Sequence, residues 1–186
     1  MIRLIIIWGS SRKNGYTAKA IDMLKENCPD GVDYKVIRTA DKRIEYCTAC
    51  ESCAVKKGSC VIKDDMPEII REIILCDRLL FLTPVYFSGA PASLKALIDR
   101  TQVLYNAPEL TKNLPAKKAY LLGVGGSREY ADQFTGLTSS LKYLLRSINA
   151  KMTEKLFFPD TDALKGDFSE SQKDALRDFI SKIFEE

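Results

Sequence analysis

Leu4-Ile5-Ile6-Ile7-Trp8-Gly9-Ser10-Ser11-Arg12-Lys13-Asn14-Gly15-Tyr16-Thr17 joins an unbroken apolar run to a short polar loop that leads into a helical pattern, Thr17 to Glu26. Because the run is continuous rather than alternating, it reads as a strand buried on both faces. A strand, a loop of Gly and hydroxyl residues and a helix start make a good setting for a phosphate. The first backbone N–H groups of a helix have no partners within it, and the dipole there favours negative charge. Ser10, Ser11 and Thr17 add hydroxyls, Asn14 an amide and Arg12 a planar charged fork. The plain alternative is an ordinary strand-to-helix turn. The loop has neither a Walker Lys-Ser/Thr pair nor G-x-G-x-x-G, so its phosphate is that of a mononucleotide rather than ATP or a dinucleotide.

Further along, Asp33 to Arg38 alternates loosely, as an edge strand does. Asp64 or Asp65 caps a helix with Met66, Ile69, Ile70, Ile73 and Ile74 at helical spacing. Leu79 to Leu82 is a third strand, and the next helix is expected from about Pro91 to Val103. Ala119 to Leu122 is strand four, and Leu137, Leu141, Leu144, Leu145 and Ile148 mark helix four. Lys151 to Phe158 is the second edge strand, and Ser169 with Gln172 forms a capping box for the last helix. Five strands alternating with five helices call for an α/β fold. It is a flavodoxin-like, doubly wound five-stranded parallel sheet of order 2-1-3-4-5 in three α/β/α layers. One domain over 1–186 is expected, with a cysteine-rich insertion at about 39–63.

In such a sheet the parallel strands end on one rim, and ligands bind where the strand order reverses, between strands one and three. Gly9 to Thr17 lies there, and so does Thr83-Pro84-Val85-Tyr86-Phe87-Ser88-Gly89, a rigid loop with two aromatics for a flat ring. Gly125-Gly126-Ser127 follows strand four on the same rim. Taken alone each is a turn; together they suit a mononucleotide with a flat ring, FMN above all.

The chain has 28 Lys and Arg against 25 Asp and Glu, a net charge of +3, and no basic run, which gives no support for a nucleic-acid partner. No apolar run nears the ~20 residues of a membrane span. Met1 leads straight into the first apolar run with no cationic leader, so a cytoplasmic protein is expected. With no histidine, Ser-His-Asp triads and His ligands are excluded. Of six cysteines, four are bunched as Cys47-x2-Cys50-x2-Cys53-x6-Cys60, while Cys28 and Cys76 stand apart and read as plain buried residues. Four thiolates from one short excursion suit a [4Fe–4S] cluster. A Zn(Cys)4 site and thiols that bind nothing are the competing readings.

These motifs resemble the NAD(P)H-dependent FMN reductase superfamily. Gly9 to Thr17 looks like its FMN-phosphate loop, and Cys47 to Cys60 leading into Asp64-Asp65-Met66 looks like that of the iron–sulfur flavoprotein branch. Thr83 to Phe87, with Leu94-Lys95 and Asp99-Arg100, completes the match. The resemblance implies that Ser10, Arg12, Asn14, Gly15, Tyr16 and Thr17 hold the FMN phosphate. Pro84, Val85, Tyr86, Phe87 and Ser88 would run along the isoalloxazine and ribityl, and Gly125, Gly126 and Ser127 would close over the ring. Cys47, Cys50, Cys53 and Cys60 would ligate a [4Fe–4S] centre. It further implies NAD(P)H as donor, a small-molecule or protein acceptor, and a homodimer or homotetramer. The expected function is FMN-dependent NAD(P)H oxidation with the chemistry at flavin N5; the alternative is a non-enzymatic electron carrier like flavodoxin.

Overall fold

The computed structural model describes residues 2–185. Strands β1 (Ile2–Trp8), β2 (Val32–Arg38), β3 (Arg78–Pro84), β4 (Lys117–Val124) and β5 (Ala150–Phe158) form one parallel sheet. Its order is β2-β1-β3-β4-β5, the doubly wound flavodoxin-like arrangement. Helices α1 (Tyr16–Glu26), α2 (Ser52–Val55), α3 (Met66–Leu75), α4 (Ala92–Arg100), α5 (Gln102–Tyr105), α6 (Thr135–Ser147) and α7 (Glu170–Phe184) connect and cover it.

Side chains alternate across a strand, and both sides of the central strands are apolar. Leu4, Ile6, Leu80, Leu82, Tyr120 and Leu122 face α1 and α7. Their neighbours Ile5, Ile7, Leu79, Phe81, Ala119 and Leu121 face a second core built by α3 to α6. The edge strand β5 instead alternates half-buried with exposed residues over most of its length. Each long helix brings an apolar stripe to one of these layers. In α7 the capping box is complete: the Ser169 hydroxyl accepts from the Gln172 N–H, and the Gln172 side chain accepts from the Ser169 N–H.

Two local features depart from the sequence reading, and a third, the cap of α3, is divided between its two candidates. The helix expected from Pro91 to Val103 is two, α4 and α5, separated at Thr101, whose hydroxyl donates to the Ile98 carbonyl at 2.6 Å. That bond competes with the helical ladder and ends the regular turn. Cys28 is only half-buried, while Cys76 is buried and burial pushes its thiol up to about 11. Asp65 stands at the N-cap of α3 without a side-chain capping bond, and Asp64 instead accepts from the Met66 N–H at 3.1 Å.

Candidate functional site

Parallel strands with the register Trp8 beside Leu82 and Pro84 beside Val124 carry three loops off one rim. The first begins at Gly9, whose N–H donates to the Leu82 carbonyl at 2.8 Å. A Cβ at Gly9 would stand 2.7 Å from Thr83 Oγ1 and 2.8 Å from Leu94 Cδ2, so only glycine lets the chain turn this close to β3. Ser10 is buried, whereas Arg12, Lys13 and Asn14 are exposed around the turn. Gly15 precedes α1 and offers no side-chain cap, which leaves the leading N–H groups of that helix pointing into the loop. Thr17 accepts from the Trp8 indole N–H at 2.9 Å; since indole only donates, the Thr17 hydroxyl proton stays free to donate elsewhere. The Tyr16 side chain turns away. Its hydroxyl donates to the Leu164 carbonyl at 3.3 Å and its ring packs edge-on against Phe168. Its share in the loop is therefore its backbone N–H.

The second loop continues β3 through Pro84 and Val85, the Val85 N–H donating to the Val124 carbonyl. Tyr86 and Gly89 then exchange two backbone hydrogen bonds of 3.0 and 2.9 Å. The two residues between them, Phe87 and Ser88, both have positive φ, 48° and 58°. This is the backbone of a type I′ turn, which normally takes Asn or Gly; a bulky aromatic there stores strain of the kind that gathers at functional sites. Phe87 is fully exposed, and Ser88 Oγ lies 3.0 Å from the Tyr130 hydroxyl. That contact brings the loop after β4 beside the loop after β3.

In the third loop the carbonyls of Gly125, Gly126 and Ser127 accept from the N–H groups of Thr161, Asp162 and Asp160. A trans peptide points the next N–H the opposite way. Gly126, Ser127 and Arg128 thus present N–H groups on the side away from β5. The Gln133 side chain packs against Gly125 and donates to the Ser127 carbonyl at 3.3 Å.

The cysteine excursion is closed at its neck. Arg43 and Asp65 exchange bonds, the Arg43 N–H donating to the Asp65 carboxylate and the Asp65 N–H to the Arg43 carbonyl. Asp64 takes the Arg100 guanidinium in a two-pronged pair of 2.6 and 3.1 Å and also accepts from the Glu45 N–H. Burial pushes the Asp64 carboxyl up, but Arg100 and the backbone donors outweigh it and hold the group below its ordinary value. Beyond this neck Cys47, Cys50, Cys53 and Cys60 all line one cavity of about 1000 Å³, closed on the far side by α4 to α6. Asn106 Nδ2 donates to the Cys53 sulfur at 3.1 Å. The Ser52 hydroxyl and backbone lower the exposed Cys50 thiol. Among the described residues no three His, Cys, Asp or Glu side chains stand together at the spacing of a single metal ion.

Several contributors escaped the sequence reading. Arg38, at the end of β2, supports the first loop from below, and its only sequence signal was a basic residue closing a strand on the ligand rim. Asn106 and the neck residues Arg43 and Glu45 carry no pattern of their own, because their partners are distant in the chain.

The family model for NADPH-dependent FMN reductase matches residues 2–157. An iron–sulfur flavoprotein of Archaeoglobus fulgidus is 34% identical over 131 residues, 70% of this chain and 59% of that protein. One of Methanosarcina thermophila is 34% identical over 133 residues, 69% of this chain and 66% of its own length. The chain thus spans about three-fifths to two-thirds of these relatives. An FMN-dependent NADH-azoreductase of Bacillus anthracis, solved with FMN, superposes with a TM-score of 0.67 over 98% of both chains at 12% identity, a likeness of fold alone. A match over most of its length to that family model makes this chain a member of the NADPH-dependent FMN reductase family.

Proposed function

We propose that the chain is an FMN-dependent NAD(P)H oxidoreductase of the iron–sulfur flavoprotein kind. The observation that carries the reading is the convergence of three loops at the strand-order switch, two of them with backbone N–H groups turned outward and the third with a strained aromatic turn. FMN has a phosphate for the first, a flat ring for the second and ring oxygens for the third. Ser10, Arg12, Asn14, Gly15, Thr17 and the Tyr16 N–H would hold the phosphate. Pro84 to Ser88 would flank the ring and ribityl, and Gly125 to Ser127 would cover its edge. The chemistry supplied there is the flavin's: hydride acceptance from the nicotinamide donor and onward transfer of electrons. The chain contributes placement and backbone dipoles, and no side chain is assigned as catalytic acid or base.

The cysteine cavity fits a [4Fe–4S] cluster in donor set. Four cysteines line one space, the Cys53 sulfur receives an amide N–H, and such N–H to sulfur bonds tune cluster potentials. Cys47, Cys50, Cys53 and Cys60 would ligate it, and it would offer a one-electron outlet to a small-molecule or protein acceptor. A cytoplasmic homodimer or homotetramer, formed from a single domain that includes the 39–63 insertion, completes the proposal.

The test is an absorbance spectrum of protein purified without oxygen, with iron and acid-labile sulfide counted beside flavin. Flavin bands with about four irons per chain are expected, and Cys50→Ser should lose the iron while keeping FMN. Steady-state oxidation of NADH or NADPH with a quinone follows; absence of turnover would make the protein a carrier. No flavin after adding FMN would overturn the reading.

A further inference from the structure

Arg38 closes β2 and lies beneath the first loop with its side chain 8% exposed. Its Nε donates to the Ser10 carbonyl at 3.1 Å, its Nη2 to the Ser11 carbonyl, and its Nη1 to the Asp41 carboxylate. The guanidinium also stacks 4.9 Å from the centre of the Trp8 ring. All three nitrogens of one planar fork are thus engaged, two of them on consecutive carbonyls of the loop. From this geometry we infer that Arg38 is a positioning residue that sets the loop for a phosphate monoester and makes the site select phosphorylated over unphosphorylated flavin.

A carbonyl and the N–H that follows it point opposite ways in a trans peptide. Drawing the Ser10 and Ser11 carbonyls down onto Arg38 turns the N–H groups of Ser11 and Arg12 up. The Arg12 N–H is taken within the loop by Ser10 Oγ at 3.2 Å, and the Ser10 hydroxyl lies 3.4 Å from the Arg12 carbonyl, so this small ring fixes the turn and the Ser11 N–H is the donor left open on the upper face. Without the guanidinium either peptide is free to flip, and a flipped carbonyl would aim its oxygen at a dianion. Lysine cannot substitute, because an ammonium is a point charge without the fixed fork needed to span both carbonyls and Asp41. Trp8 and Asp41 hold the fork in plane from two further sides. Arg38 does this without touching the phosphate itself.

The inference rests on the FMN reading, so the experiment separates the two. Binding of FMN and of riboflavin is measured by flavin fluorescence quenching for the wild type, Arg38→Lys and Arg38→Met. Wild type is expected to favour FMN by at least about tenfold. Both variants should lose about 10–100-fold in FMN affinity, the worth of one or two charge-assisted bonds, with riboflavin affinity nearly unchanged. Should Arg38→Met fail to fold, Arg38→Lys decides alone, since it keeps charge and most of the bulk. Full FMN affinity in Arg38→Lys would mean that charge suffices and would overturn the positioning role. Equal losses for both flavins would mark a merely structural residue and overturn it as well. A wild type that binds FMN and riboflavin alike sinks the inference but leaves the FMN reading standing. A wild type that binds neither sinks the reading first.

Discussion

Asp64 and Arg100 form a pair whose side chains are 0% and 2% exposed, and neither charge can lose the other cheaply. Arg100→Met would leave a buried carboxylate facing apolar surroundings and is expected to lower the unfolding free energy by about 3–5 kcal/mol. Urea titration reads this, and a loss under about 1 kcal/mol would mean that water reaches the pair. The same pair sets an acid limit. The folded Asp64 pKa lies below its ordinary value of 3.8, so its contribution is fully present above that value and disappears as pH falls through the lower, folded one. The wild-type urea midpoint should therefore fall as the pH drops below the ordinary carboxylate value of 3.8, and the Asp64→Asn variant should show a flatter acid limb there. The loss acts locally too, because the pair ties the neck of the cysteine loop to α4.

At the scale of elements, α7 shows how a short local signal can be complete. Ser169 and Gln172 satisfy each other's backbone, and Leu176, Phe179, Ile180 and Ile183 then run down the buried face. Ser169→Ala removes one half of the box and should cost about 1 kcal/mol. In a chain of this size that lowers the melting temperature by about 2–4 °C; an unchanged melt would show that packing of Phe168 alone sets the helix start. The contrast is the region after β3. Apolar spacing carries on from α4 into α5, and only the Thr101 hydroxyl, bonded back to Ile98, shows that the helix axis is interrupted. Periodicity reports which face is buried and is blind to a side chain that takes a backbone acceptor.

For the molecule as a whole, the proposed site draws on segments from residue 9 to residue 127, so a ligand that spans it would tie much of the sheet's rim together. Anything that binds only the folded state raises its stability by mass action, about 2.7 kcal/mol at a hundred times its Kd. Saturating FMN should accordingly raise the melting temperature by about 5–10 °C, and riboflavin at the same concentration by distinctly less. A melt that FMN leaves unmoved would speak against a site on this rim. Such linkage needs no assumption about turnover, which makes it independent of the activity assay.

The apolar runs at Leu4, Leu79 and Ala119 against the weaker edge patterns at Asp33 and Lys151 were sufficient for the strand order, because burial on both faces or one is written into composition. The glycine and hydroxyl residues after β1 and the cysteine spacing were equally legible, since both are contiguous in the chain. Other features depended on contacts between distant segments. Arg38 reaching back to Ser10, Asp64 meeting Arg100, the carbonyls of Gly125 and Gly126 tied to Thr161 and Asp162, and Tyr16 turned onto Leu164 are all of that kind. Local sequence determines which backbone each segment prefers and which face it buries. Which way a loop peptide points is decided by a hydrogen-bond partner tens of residues away, and only the folded sheet brings that partner within about 3 Å.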